Sequence, residues 1–235
     1  MTYRQPFSGT SGIVLRQLTP HGNKFSVLTD TEGKIYLVVL DPKASRQITP
    51  GNFIVFPQQK RTIDTIITTR LDFCETHCAH TTPTLALTHH ILEIAYFFTQ
   101  INEPNLPMFA TLKTLMSLPL FYDTLGENWR KIEIIGAAVL INICGHNLET
   151  SEPKIREILQ KLNNILIYSL DFDDLSKINS LKIYLTGISN DFIQFLEKWI
   201  LASLQSHPAS KEFKTIQFMY GNIKNTSKKR IPCAP

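Results

Sequence analysis

The densest grouping of reactive side chains is Cys74-Glu75-Thr76-His77-Cys78-Ala79-His80, two thiols and two imidazoles within one short stretch. Cys74, His77, Cys78 and His80 have the donor number and type of a tetrahedral zinc site. Structural zinc, however, normally draws its ligands in two pairs from separated segments, so that the metal ties the chain together. Here one local backbone would have to wrap the ion unaided. The stretch therefore reads as connecting chain; these four residues are the metal candidates, and we expect no metal and no other cofactor. His89-His90 adds two imidazoles, but adjacent helical residues point to different faces. Asp171, Asp173 and Asp174 suggest paired acids, although such clusters ordinarily mark a solvated turn.

Spacings that do recognised chemistry are missing. There is no G-x-x-x-x-G-K followed by Ser or Thr, no G-x-G-x-x-G, no G-x-S-x-G and no H-E-x-x-H. No short motif thus cradles a phosphate, aims a nucleophile or holds a catalytic metal. An active site assembled from residues distant in the chain stays open at this point. The four cysteines in 235 residues make no disulfide framework. The longest apolar run, Ile132 to Ile143, is broken by Glu133 and Asn142 and falls short of the ~20 residues of a membrane span. The opening MTYRQPFSGTSG has no apolar stretch of the secretory kind. A cytoplasmic protein with no membrane partner is the expectation.

Charge carries more information than chemistry. The net +4 hides a segregation: residues 1–70 have nine basic against four acidic residues, residues 71–210 nine against fifteen, and residues 211–235 six against one. A basic front and a basic end are drawn to a polyanion. Arg16, Lys24, Lys34, Lys43, Arg46, Lys60, Arg61 and Arg70 are the candidate phosphate contacts, and Tyr36, with Phe53, a candidate stacking face for unpaired bases. Competing explanations are that edge strands carry Lys against aggregation and that aromatic residues of a small barrel are core.

The elements that must position these residues change type near residue 71. Five strand-like runs precede it: Gly12–Leu18, Lys24–Asp30, Lys34–Leu40, Asn52–Pro57 and Thr62–Thr68, separated by turns such as Thr19-Pro20-His21-Gly22 and Asp30-Thr31-Glu32-Gly33. Five short strands in about seventy residues suit an OB-like barrel, which recurrently binds single-stranded nucleic acid; an SH3-like barrel has the same signature. Alternation puts the cations outside while Ile13, Leu15, Phe25, Val27, Ile35 and Leu37 fill the interior. Helical spacing follows, with starts at Thr82-Pro83, near Asn105, near Glu127, at Ser151-Glu152-Pro153 and at Asn190-Asp191. The expected class is α+β and multidomain: residues 1–72 an N-terminal five-stranded OB-like β-barrel that binds nucleic acid, 73–82 a linker, 83–220 an all-α helical bundle, and 221–235 a basic, disordered tail.

GIVLRQLTPHGNKFSVLTDTEGKIYLVV, HHILEIAYFFTQINEPNLPMFATLKTLMSL, NWRKIEIIGAAVLINIC and DFIQFLEKWILASLQSHPASKEF together resemble the bacterial DNA repair protein RecO family of recombination mediators. The likeness covers nearly the whole chain, and none of its motifs is rare alone. It implies a non-enzymatic protein that binds single- and double-stranded DNA and anneals complementary strands. It also implies partners: RecR, the carboxy-terminal tail of single-strand-binding protein and, indirectly, the recombinase RecA. Many relatives carry a four-cysteine zinc module where this chain offers only Cys144 and His146, so that module is expected to be missing. The basic loop after the third strand is reduced to Lys43 and Arg46, which implies either a weaker DNA affinity or a reliance on the tail residues Lys228, Lys229 and Arg230. The alternative reading is a protein-interaction module whose helical domain holds a partner peptide without binding DNA.

Overall fold

The computed structural model describes residues 9–20, 22–75, 81–146, 157 and 175–220. Its class is α+β: a seven-stranded mixed sheet is followed by helices. The strands are β1 (Thr10–Gln17), β2 (Lys24–Thr29), β3 (Gly33–Val39), β4 (Phe53–Phe56), β5 (Lys60–Arg61), β6 (Thr65–Thr68) and β7 (Phe73–Glu75). Their order in the sheet is β5-β6-β3-β2-β1-β4-β7. All neighbours are antiparallel except β3 and β6. β4 and β5 belong to one run of chain, separated by residues 57–59.

The β2–β3 turn follows from Gly33, whose φ of +77° suits glycine and whose missing Cβ leaves room for the Glu103 backbone. That contact brings the loop after the first long helix onto the sheet, where the Asn102 amide donates to the Lys34 carbonyl at 2.9 Å. Between β3 and β4, Asp41-Pro42 opens a short helix, α1 (Pro42–Arg46), where a loop was expected. Asp41 caps it by accepting from the Lys43 amide, and proline suits the first turn because its missing N–H has no partner to lose. The stretch 73–82, read as a linker, holds β7, which pairs with β4, and the first residue of α2 (Thr82–Phe98).

Beyond α2 come α3 (Leu106–Ser117), α4 (Tyr122–Leu125), α5 (Trp129–Ile143), α6 (Leu175–Thr186), α7 (Asn190–Ser206) and α8 (Ile216–Tyr220). Thr81 and Asn105 cap α2 and α3, each with proline in the first turn. α5 carries the long apolar run and is buried on nearly every side. Its Gly136 lets the Leu115 side chain of α3 approach within 2.8 Å of where a Cβ would stand. Arg130 pairs with Glu133 and Glu197 and donates to the Met219 carbonyl, so one guanidinium joins α5, α7 and α8. The start expected at Ser151-Glu152-Pro153 lies outside the described residues, while α6, which the spacing had not suggested, buries Ile178, Leu181 and Leu185.

Two apolar clusters form. Val14, Phe25, Val27, Ile35, Leu37, Ile54, Phe56 and Ile66 fill the inner side of the sheet. Ile13, Leu15 and Leu28 instead join the helical core on the outer side. This corrects the expected inward phase of Ile13 and Leu15: Ile13-Val14-Leu15 is apolar throughout, so alternation alone leaves its phase open, and the helices claim the outer pair. No helix among the described residues is long and apolar enough to cross a membrane.

Candidate nucleic-acid interface

Register places the candidate residues. Lys60 pairs with Ile67, Ile67 with Val38, and Val38 with Lys24, which makes one row across β5, β6, β3 and β2. Phe25, Leu37 and Ile66, one step along, belong to the inner cluster, so this row faces outward. The next outward row runs Thr65, Tyr36, Ser26 and Arg16. Lys24 Nζ lies 4.7 Å from the centre of the Tyr36 ring. Burial raises the Tyr36 hydroxyl above its usual pKa, so the phenol stays neutral at pH 7.

The same end of the sheet gathers more cations. α1 follows the end of β3 and presents Lys43 and Arg46, both exposed and three residues apart, on one side. Arg70 follows the end of β6, which runs parallel to β3. Arg70 pairs with Asp72 at 3.2 Å, which offsets part of its charge. Arg61, by contrast, is paired with Ile66 in the inward-facing row and bridges to Glu32 at 2.7 Å before the start of β3, so this predicted contact does not join the outer group. Among the described residues, no salt bridge engages Lys24, Lys43, Arg46 or Lys60. The end of the sheet thus holds four uncompensated cations beside a tyrosine ring.

Two more predicted contacts stand elsewhere. Lys34 shares the outer face but lies one row further, level with Leu28 and Ile13, and is only 9% exposed. Its ammonium donates to the Tyr96 carbonyl at 2.7 Å, and burial lowers its pKa. It is a tie between sheet and helix rather than part of an outer track. Arg16 follows a bulge: the β1–β2 register shifts between Val14 and Arg16, so Leu15 and Arg16 both line the space beneath α2. Its guanidinium carbon is 5.1 Å from the Tyr96 ring centre. Phe53 is no open platform either, because Phe73, Phe109 and the Lys113 ammonium cover its ring.

Of the zinc candidates, His77, Cys78 and His80 lie outside the described residues. Cys74 sits in β7 with its sulfur 3.4 Å from the Asn52 side-chain nitrogen and 3.8 Å from the Gln47 carbonyl, and burial raises its pKa. The thiol form is favoured there, which opposes metal ligation. Cys144 is pushed up to about 12 by burial. No group of His, Cys, Asp or Glu among the described residues gathers as a metal site requires. Asp171, Asp173, Asp174, Lys228, Lys229 and Arg230 also lie outside the described residues.

Sequence reasoning missed a groove of about 470 Å³ between β1 and α2, bordered by Lys214 and Thr215. Its walls come from segments far apart in the chain, so no local pattern announces it. No known family model matches the chain, and no curated protein matches it.

Proposed function

We propose that this is a cytosolic, non-enzymatic DNA-binding protein of the recombination-mediator type, with its DNA contact on the outer face of β2, β3, β6 and β5. The observation that carries the reading is the Lys24–Val38–Ile67–Lys60 row with Tyr36 beside Lys24. Phosphates meet the ammonium groups at its ends, Lys43 and Arg46 extend the charge along α1, and Tyr36 offers an edge or face to an unpaired base.

The pairing pattern supports an OB-like barrel of five strands. β1, β2 and β3 form a meander, β3 meets β6 in parallel, and β5, which pairs with β6, continues the run that began as β4 beside β1. Counting residues 53–61 as one bent strand, the pairings return to their starting point. β7 is then an added edge strand, and the helices beyond it make up a bundle. In OB-folds the face of strands 2 and 3 is a recurrent oligonucleotide site, and here it holds Lys24 and Tyr36.

The resemblance to RecO supplies the rest of the proposal: annealing of complementary strands, contact with RecR and with the tail of single-strand-binding protein, and help in loading RecA. Binding of a fluorescent single-stranded oligonucleotide over a salt series, followed by ATP-free annealing, tests it. Salt-insensitive or undetectable binding overturns the assignment.

A further inference from the structure

We propose that the groove between β1 and α2 binds a small amphipathic carboxylate, an apolar chain ending in one carboxylate group. At about 470 Å³ it falls within the range of small-molecule sites, which are mostly apolar with a few placed polar groups. Leu15, Pro50, Leu85, Leu92 and Phe97 supply the apolar wall.

The polar groups are unbalanced. Arg16 lines the groove with its guanidinium carbon 5.1 Å from the Tyr96 ring centre; Lys34, whose ammonium stands 5.0 Å from that same centre, lies outside the lining and is committed to the Tyr96 carbonyl. Neither cation has a carboxylate within salt-bridge distance among the described residues. The carboxylate that lines the groove, Glu93, is committed elsewhere. Its Oε1 accepts from the Lys214 amide at 2.7 Å, and its Oε2 accepts from the Thr215 amide at 2.9 Å and the Thr215 hydroxyl at 2.5 Å. Lys214 adds an exposed cation at the rim. An apolar trough with surplus positive charge is complementary to an anion with an apolar body. A guanidinium matches a carboxylate with two parallel hydrogen bonds.

A nucleotide fits less well. The Tyr96 ring is engaged by two cations, and Phe97 packs against Tyr96 at 5.0 Å and Phe213 at 4.6 Å. A base would bury its ring nitrogens and exocyclic groups against leucine and proline, leaving them without partners. The groove thus favours an alkyl chain over a base; Arg16 lies in the row of Tyr36, while the α2 wall with Leu85, Leu92 and Phe97 is apart from the Lys24–Lys60 row.

Displacement of a dansyl-labelled undecanoate by dodecanoate, below its micelle concentration, tests the inference on the full chain. Saturable binding is expected, at least about tenfold weaker for dodecan-1-ol and for Arg16→Gln, since a charge-assisted bond is lost in each. Leu85 is exposed on α2, so Leu85→Glu leaves the fold intact and should weaken dodecanoate by a similar factor. Absence of saturable binding overturns the inference, as does equal binding of the alcohol or of both variants. Oligonucleotide affinity should be unchanged in Leu85→Glu, so a failed DNA assay leaves this result standing.

Discussion

The ammonium of Lys34 on β3 donates to the carbonyl of Tyr96 in the last turn of α2 at 2.7 Å and sits 5.0 Å from the centre of its ring. One side chain thus satisfies a carbonyl that the helix itself leaves without a partner and fixes the helix against the sheet. Lys24, ten residues earlier and on the same outward face, does neither, and its ammonium remains at the surface beside Tyr36. Two lysines with the same phase in a strand pattern therefore have opposite physical roles.

That contrast predicts a separation of effects. Lys34→Met should lower unfolding stability by about 1–3 kcal/mol, through the lost hydrogen bond to a half-buried carbonyl, with little change in oligonucleotide affinity. Burial lowers the Lys34 pKa in the folded state from 10.5, so the cost of keeping it charged is present below the folded value. That cost is relieved as pH rises toward the unfolded value. Wild type should gain stability relative to Lys34→Met across this window. Urea unfolding of both proteins from pH 8 to about 10.5 checks the sign.

His90 gives a second pH dependence, on the acid side. It is fully buried on α2, with Nδ1 2.8 Å from the Thr215 hydroxyl and Nε2 2.9 Å from the Tyr220 hydroxyl. Burial, and then the nearby Arg130, push its pKa down to about 3 from 6.5. The unfolded chain therefore takes up a proton that the folded chain refuses between these values. Stability should fall as pH drops below about 6.5, with a slope approaching ~1.4 kcal/mol per pH unit. His90→Gln should be less stable at pH 7 but lack this slope. Parallel lines for the two proteins between pH 7 and pH 5 would overturn the account.

How much of this was legible depends on what each signal measures. The β2–β3 hairpin was readable because Phe25, Val27, Ile35 and Leu37 alternate and all four reach the inner cluster. The fate of Lys34 was not, because alternation gives a face and says nothing about what later covers it. Ile13 and Leu15 failed for a related reason, since an all-apolar triplet has no phase. β7 is three residues held by long-range pairing with β4, which leaves little local trace. The segment after the third strand, expected as a loop, opens on Asp41-Pro42, which is equally a capping residue followed by a first-turn proline. The groove needed β1, α2 and residues 214 and 215 brought together.

Gly33 offers a test of how the two parts are joined. A Cβ there would stand 2.0 Å from the Glu103 carbonyl oxygen, and the φ of +77° disfavours any side chain. The obstacle is backbone on both sides, so no flexible group can give way. Gly33→Ala should cost at least about 2 kcal/mol. It should also increase hydrogen exchange at the Asn102 amide, which donates to Lys34. A variant as stable as wild type would show that the Glu103 loop does not hold this position in solution.

The proposed DNA face makes its own quantitative demand. If Lys24 and Lys60 each neutralise a phosphate of single-stranded DNA, removing both should reduce the slope of log affinity against log salt by about 1.4. Lys24→Ala with Lys60→Ala should leave stability nearly unchanged, since both ammonium groups are free of salt bridges among the described residues. Tyr36→Ala should weaken binding by about 1–3 kcal/mol if a base stacks there, without changing the salt slope. Charge and stacking are thus read by different quantities in one titration. A salt slope unaltered in the double variant would move the DNA contact away from this row, whatever the affinity of the wild-type protein.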